Sequence, residues 1–317
     1  MQATITRQRL TNVELVVGNP WAVPLLLLTT AFLYTLYART RRTRRILSET
    51  IYLELGRRTA VYDYLKIATA VLLAFSALNP MIAYTRAIEV ASTEDLVAYS
   101  DKLPVQYIVL VDVSPSMHRE NRLEQAVEAI EQVVATVGSS DRVVIAVFGG
   151  RVRELYSGDP GSALNILRTI SDYTIEYTAI STALGWASSR AKSSGLPSIV
   201  IVVTDGANNY GGNPVETAKA MSSQGIPILF IRVSSDPRGT SLFYELSATG
   251  IEVVDVGSVS GEALEKLLEK AVLEKKLEVL RASGRTVVYV TEYSNTPTYA
   301  LLLTALVLLI VLRSEGV

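Results

Sequence analysis

The sequence predicts an open, doubly wound α/β sheet with mostly parallel strands, anchored by three transmembrane helices. Between about residues 85 and 296, short aliphatic runs alternate with amphipathic segments, the pattern of parallel strands covered by helices on both faces. Three long apolar stretches lie outside that region, and 49% of the 317 residues are hydrophobic. This uneven distribution favours a membrane-anchored protein with one sizeable water-exposed domain.

The three apolar stretches cover residues 20–38, 64–84 and 297–312, and each is about long enough to cross a bilayer. A signal peptide is a poor alternative for the first stretch, because its basic cluster follows the apolar core instead of preceding it. We therefore expect an N-terminal membrane region over residues 1–84, with two helices, and a C-terminal helix with a short tail over residues 297–317.

The densest basic cluster, RTRRTRR, lies just after the first apolar stretch at Arg39–Arg45. Basic loops stay on the cytoplasmic side of a membrane, so we expect loop 39–63 to be cytoplasmic. The segment from about Thr85 to Asn295 is then extracytoplasmic in a multi-pass protein of the cell membrane. The alternative, a nucleic-acid patch, is weaker because the cluster adjoins the bilayer and the formal net charge is −1.

The strands of the outer domain are predicted from near-continuous aliphatic runs, which suit strands buried on both faces. These runs cover residues 105–112, 142–149, 197–205 and 226–233, with a shorter candidate at 250–256. GRVRELYSG, which follows the second run, predicts an antiparallel strand at the sheet edge.

Three segments between or after these strands predict helices. NRLEQAVEAIEQVVATV carries apolar residues at i, i+3 and i+4 spacing, and PVETAKAMSSQG opens with proline and ends at glycine. SGEALEKLLEKAVLEKKLEVLRASG predicts a long charged helix after the last strand. We place this outer domain at residues 105–283.

Two stretches beside the membrane segments alternate like exposed strands: TRAIEVAS at residues 85–92 and RTVVYVTEYS at residues 285–294. We expect them to pair as a short ribbon within stalk segments 85–104 and 284–296, which hold the domain above the membrane. The alternative is two unrelated linkers.

Polar side chains follow the ends of the predicted strands. Asp112 ends the first strand, with Ser114 and Ser116 in the loop after it, while Asp205 ends another strand and Thr178 precedes an apolar helical segment. Loops at the carboxyl ends of parallel strands converge, so these five side chains are expected to meet. Two carboxylates and three hydroxyls are hard oxygen donors that suit Mg²⁺ above all, or Ca²⁺ or Mn²⁺, and not zinc or copper.

Other interpretations of this loop stay open. Ser114 and Ser116 also suit a helix N-cap, and Asp112 also suits a nucleophile. A phosphoaspartyl phosphatase would need a second acid where Ser114 stands, a serine hydrolase would need a triad histidine and a G-x-S-x-G turn, and an ATPase would need a P-loop. The one histidine, His118, lies in this loop, and we expect its side chain to be solvated. The chain has no cysteine, which excludes thiol catalysis. Because the signatures of these enzyme classes are also missing, we expect no enzymatic role.

Three sequence features, DVSPSM, the threonine of TAIST and VTDGANN, resemble the metal-ion-dependent adhesion site (MIDAS) of von Willebrand factor A (VWA) domains. The family pattern is Asp-x-Ser-x-Ser, then a threonine, then an aspartate, and its metal ligands would be Asp112, Ser114, Ser116, Thr178 and Asp205. The likeness covers about residues 105–280. It departs at Pro115, where many relatives carry glycine, and at Thr182, where relatives often carry an acidic residue.

Two helices before such a domain, an arginine-rich inner loop and one helix after it resemble the Bat aerotolerance membrane proteins. The resemblance implies a membrane-anchored scaffold in an envelope complex, with other membrane VWA proteins or a MoxR-type AAA+ ATPase as partners. Two carboxylates that act partly through water leave a divalent cation incompletely neutralised, so we expect a protein partner to supply an acidic residue to the metal. The net charge of −1 gives no reason to expect a nucleic-acid partner. A structural membrane scaffold without metal-dependent binding, or a metal-dependent hydrolase, are the alternatives.

Overall fold

The computed structural model describes residues 10–51, 57–233, 237–258 and 261–314. The chain divides into two compact units, Met1–Ile88 with Tyr289–Val317, and Glu89–Val288. The strands are β1 (Leu10–Val17), β2 (Pro80–Glu89), β3 (Gln106–Asp112), β4 (Arg142–Phe148), β5 (Val152–Gly158), β6 (Ser198–Thr204), β7 (Ile228–Arg232), β8 (Glu252–Asp255) and β9 (Val287–Ser294). The α-helices are α1 (Val23–Ile51), α2 (Arg57–Ala77), α3 (Thr93–Tyr99), α4 (Arg122–Thr136), α5 (Pro160–Leu167), α6 (Ile180–Ser194), α7 (Pro214–Ser223), α8 (Pro237–Ala248), α9 (Glu262–Ala282) and α10 (Thr296–Ser314).

The first unit combines a small sheet with three helices. Its strands run in the order β1-β2-β9, and β1 pairs antiparallel with β2 from Leu10 opposite Arg86 to Val17 opposite Pro80. Strands β2 and β9 are neighbours, as expected from their alternating patterns. Strand β1 adds a third strand that was not predicted from the sequence. Helix α2 packs against both α1 and α10.

Hydrogen bonds tie together the helix ends that adjoin this sheet. The amides of Gly18 and Asn19, just before α1, donate to the carbonyls of Asn79 and Leu78, each at 3.0 Å. At the start of α10, Oγ1 of Thr298 donates to the carbonyl of Pro80 at 2.8 Å. The start of α1, the end of α2 and the start of α10 therefore lie close to one another.

Two helical stretches among the described residues are long and apolar enough to cross a membrane by length and composition: Pro20–Thr43 and Thr296–Ser314. The span predicted at 64–84 is wrong in its last third, because α2 ends at Ala77 and β2 begins at Pro80. Asn79 adopts a left-handed φ of 48° and a proline follows it, a combination that ends a helix. Only about 21 Å of that stretch is helical, at ~1.5 Å per residue.

The second unit is the predicted α/β domain. Its six strands run in the order β5-β4-β3-β6-β7-β8, and every neighbouring pair is parallel except the β4–β5 edge hairpin. This confirms the mostly parallel sheet, its five aliphatic strands and the edge strand. Helices α6, α7 and α8 contribute to the core on one face, while α4 and α9 pack together and contact the central strands. The strands β3 and β6 are buried along their whole length, because helices cover both faces.

A buried ion pair lies at the end of this sheet where the parallel strands begin. Nζ of Lys276, on α9, lies 2.7 Å from Oδ2 of Asp141, and both side chains are almost fully buried. Asp141 also accepts hydrogen bonds from the amides of Val105 (2.9 Å) and Gly138 (3.0 Å). The pair thus holds α9 to the segments that precede β3 and β4.

Candidate functional site

Asp112 is the last residue of β3, and its carboxylate is fully buried. Its Oδ1 accepts a hydrogen bond from the amide of Ser114 (2.9 Å), and its Oδ2 accepts one from Oγ1 of Thr204 (2.6 Å). Thr204 ends β6, so the carboxylate joins the carboxyl ends of two neighbouring strands. Thr204 was not among the predicted site residues, although it stands immediately before the predicted ligand Asp205.

Ser114 and Ser116 lie in the loop that leaves β3, with their hydroxyl oxygens 3.1 Å apart. The side chain of Met117 is fully buried, and its backbone binds both ends of the loop, with its amide donating to Ser114 and its carbonyl accepting from Leu123. Neither serine caps a helix, because α4 begins only at Arg122. The capping interpretation of these two serines is therefore wrong.

Thr178 is buried just before α6, at the end of a second loop. Its amide donates to Oδ1 of Asn209 (2.8 Å), and its carbonyl accepts from the amides of Asn209 and Tyr210 (both 3.1 Å). Oδ1 of Asn208 accepts from the amide of Ile180 at 3.1 Å. The two asparagines are thus bridges that fix the threonine loop to the loop after β6, a role that their turn-forming residue type did not reveal.

Asp205, the first residue after β6, is also fully buried. Its Oδ1 accepts from the amide of Ala207 at 3.0 Å, and its Oδ2 accepts from Nη1 of Arg122 at 3.0 Å. Nη2 of the same guanidinium donates to Oε2 of Glu120 at 2.8 Å. Arg122 was not among the predicted site residues, because its place at the start of an amphipathic helix gave no sign that it would turn towards the sheet.

Electrostatics at the site follow from burial. Burial disfavours the charged form of Asp112 and raises its pKa to about 6, against the hydrogen bonds from Thr204 and Ser114, which lower it. The negative charge of Asp205 adds a smaller increase to this pKa. The site therefore holds two buried carboxylates, of which only Asp205 contacts an arginine, and this excess of buried negative charge favours a bound cation.

The donor set fits a hard divalent cation. The amide of Ile175 donates to the carbonyl of Val113 (3.2 Å), which joins the threonine loop to the loop after β3. Asn209 joins the threonine loop to the loop after β6, and the bond from Thr204 to Asp112 joins the ends of β6 and β3. All the candidate ligand atoms are oxygens. Among the described residues there is no group of three or more acidic, histidine or cysteine side chains that could hold a metal, so a cation here would use hydroxyl ligands as well.

His118 does not face these carboxylates. Its Nε2 lies 3.0 Å from the carbonyl oxygen of Tyr173 and 3.0 Å from Oγ1 of Thr174. The ring is thereby engaged with the segment before the threonine loop, and it is not placed as a base beside Asp112.

The sheet order, the edge hairpin and this cluster at the strand ends agree with a family match. The model of the von Willebrand factor type A domain matches residues 108–299, more than half of the chain. The chain belongs to the VWA family. The matched segment contains all five residues predicted as ligands, and the VWA fold expected from the sequence is confirmed.

Solved structures similar to this VWA protein include two from Bacteroides. BatB from Bacteroides thetaiotaomicron is 24% identical, with 56% of this chain and 99% of that chain covered and a TM-score of 0.45. An aerotolerance-related membrane protein from Bacteroides fragilis is also 24% identical, with 55% and 99% covered and a TM-score of 0.45. The ArnB paralog VWA2 from Sulfolobus acidocaldarius is 16% identical, with 61% and 49% covered and a TM-score of 0.37. No protein with a curated description matches the chain.

Proposed function

We propose that this VWA protein is a membrane-anchored binding module that captures an acidic side chain of a protein partner through a divalent cation. Asp112, Ser114, Ser116, Thr178 and Asp205 would hold the cation, with Mg²⁺ as the expected metal. The observation that carries the proposal is the hydrogen-bonded joining of three loops around two buried, interacting carboxylates. The bound cation would supply a positive coordination point for the partner's carboxylate.

The chain's own residues would prepare this site. Thr204 and the amide of Ser114 orient the carboxylate of Asp112, and Asn209 fixes the backbone of Thr178. Because these supports are short hydrogen bonds within the fold, the oxygens need little rearrangement to receive a cation. The same rigidity favours reversible capture over a site that closes around a substrate.

The proposal is tested with the full chain in detergent, by Mg²⁺ titration and by capture of partners from solubilised membranes with and without chelator. Asp112→Ala and Asp205→Ala are expected to abolish both Mg²⁺ binding and metal-dependent capture. Asp172→Ala, which removes an exposed carboxylate outside the proposed ligand set, is the matched control and keeps both. Capture that survives chelation and Asp112→Ala in a folded protein would instead favour a scaffold that associates through its helices.

We further propose that the chain crosses the membrane three times, at α1, α2 and α10. Hydrogen-bonded strands lie on the same side of a membrane, and β1 and β2 are so bonded although α1 lies between them. If α1 crosses, the chain must cross back before β2, and α2 is the described helix between them that packs on α1 and α10. Its 21 residues span about 31 Å. This supports a stalk formed by β2 and β9.

The basic cluster at Arg39–Arg45 then favours an extracytoplasmic VWA domain and a cytoplasmic segment 39–63, which contains the end of α1 and the start of α2 and is not the loop that was predicted. In this orientation the partner that reaches the metal is an envelope protein, such as another membrane VWA protein. A MoxR-type ATPase consumes cytoplasmic ATP, so it would reach segment 39–63 and not the metal.

Single cysteines test this orientation, because the chain has none of its own. Ser222→Cys, at an exposed position of α7, is expected to react with an impermeant maleimide in intact cells, and Thr43→Cys on α1 only after permeabilisation. The reverse pattern would place the VWA domain in the cytoplasm and would bring the metal within reach of an ATPase.

A further inference from the structure

Arg122 lies beside the carboxylates although the family pattern assigns it no role. Its side chain is 9% exposed, and its guanidinium donates to Oδ2 of Asp205 and to Oε2 of Glu120. The contact to Asp205 joins residues 83 positions apart, so it is formed by the fold and not by local geometry. The site thus contains one built-in cation beside two buried anions.

The backbone turn just before α4 positions the guanidinium of Arg122 beside Asp205. Glu120 and Asn121 have φ values of 56° and 57°, two consecutive left-handed residues that are not glycine. Each such conformation costs on the order of 1 kcal/mol and persists only where the surroundings hold it. The amides of Arg122 and Leu123 donate back to the carbonyls of Arg119 and Met117, which fixes the turn that starts α4.

A divalent cation bound by Asp205 would meet the positive charge of this guanidinium. Like charges within a few ångströms repel strongly where water is excluded. Asp205 itself would keep its position without the arginine, because Oδ1 is held by the amide of Ala207 and the residue directly follows β6. Removing the arginine would therefore change the charge of the site more than its shape.

We propose that Arg122 is a built-in counter-ion that lowers the affinity of the site for the divalent cation alone. This inference rests on the proposed metal-binding function. The arginine stabilises the metal-free fold by neutralising Asp205, and it leaves the free protein with a weakly held metal. The partner's carboxylate adds the negative charge that the arginine offsets, so tight metal binding is coupled to partner capture, and the coupling is reciprocal.

The test is isothermal titration of Mg²⁺ into the full chain in detergent at pH 8. Arg122→Gln is expected to bind Mg²⁺ about tenfold more tightly than wild type, equivalent to ~1.4 kcal/mol. Arg122→Lys keeps the charge and is expected to stay within about threefold of wild type. Arg119→Gln removes an exposed arginine from the same loop and serves as the matched control for net charge.

Thermal unfolding separates this role from a structural one. Arg122→Gln is expected to unfold at a lower temperature than wild type in chelator, and to gain more from saturating Mg²⁺. Weaker Mg²⁺ binding by Arg122→Gln, or binding equal to that of Arg119→Gln, overturns the inference while leaving the metal site intact. If wild type binds no Mg²⁺, or if Asp112→Ala binds it equally well, the proposed function itself fails, and this inference with it.

A second pair of variants covers the case in which Arg122→Gln does not fold. Glu120 is exposed and shares the guanidinium, so Glu120→Gln directs more of its positive charge towards Asp205. We expect about threefold weaker Mg²⁺ binding than for Glu124→Gln, which removes an exposed glutamate from α4. Equal binding by these two variants also overturns the inference.

Discussion

Replacing Asp112 with asparagine removes a buried negative charge while keeping the shape of the side chain. The pKa of Asp112, about 6, lies about two pH units above its ordinary value of 3.8. At ~1.4 kcal/mol per pH unit, the ionised carboxylate destabilises the metal-free fold by about 3 kcal/mol at pH 8. Asparagine avoids this cost because it is neutral.

Part of this gain is lost in the hydrogen bonds. The asparagine oxygen can still accept from the amide of Ser114, but its amide group would donate to Oγ1 of Thr204, which already accepts from the amide of Gly206 at 3.1 Å. The threonine proton then needs a new acceptor, which costs about 1–2 kcal/mol. We expect metal-free Asp112→Asn to be more stable than wild type by about 1–2 kcal/mol at pH 8.

The assay is denaturant unfolding of the full chain in detergent and chelator, in a Trp21→Phe background so that the fluorescence reports Trp186 of the VWA unit. The raised pKa means that the folded protein binds more protons than the unfolded chain between about pH 4 and 6. Wild type should therefore lose stability as the pH rises through this window, and Asp112→Asn should lose less. Added Mg²⁺ should stabilise wild type but not Asp112→Asn. An Asp112→Asn protein that is less stable than wild type in chelator at pH 8 would refute this reasoning.

Two further substitutions test the supports of the fold and of the site. Lys276→Met removes the ion-pair partner of the buried carboxylate of Asp141 and should lower the free energy of unfolding by about 3–5 kcal/mol. Lys266→Met, at an exposed position, should change it by under ~1 kcal/mol. Similar denaturation midpoints for the two variants would contradict the role of the buried ion pair. Thr204→Val removes the hydrogen bond that lowers the pKa of Asp112. The variant should therefore bind Mg²⁺ more weakly than wild type at pH 7 and recover its affinity as the pH rises to 8.5. A loss of Mg²⁺ affinity that does not change with pH would instead indicate a structural defect.

The strands were predictable because a strand covered on both faces is apolar along most of its length. All five aliphatic runs form parallel strands. Of the predicted ligands, Asp112 ends β3, and the other four lie in the three loops beside the carboxyl ends of these strands. The helices α3 and α5 were missed because they have seven and eight residues, too few to show a helical period. The end of α2 was missed because apolar content continues past Ala77, and composition does not distinguish a membrane helix from the strand that follows it.

The residues that orient the ligands could not be predicted from the sequence, because their positions depend on the register of the strands. β3 and β6 pair with Val111 opposite Val203, so the next residues, Asp112 and Thr204, are neighbours on the same face of the sheet. This register delivers a hydroxyl to the carboxylate from 92 residues away and leaves Asp205 beyond the strand end, where it turns to Arg122. A register shift of one residue would instead bring Asp205 opposite Asp112 and place two unscreened carboxylates side by side. The position of the threonine before the aspartate thus gives Asp112 a hydroxyl partner and leaves Asp205 to pair with Arg122, so the two acids keep separate hydrogen-bond partners.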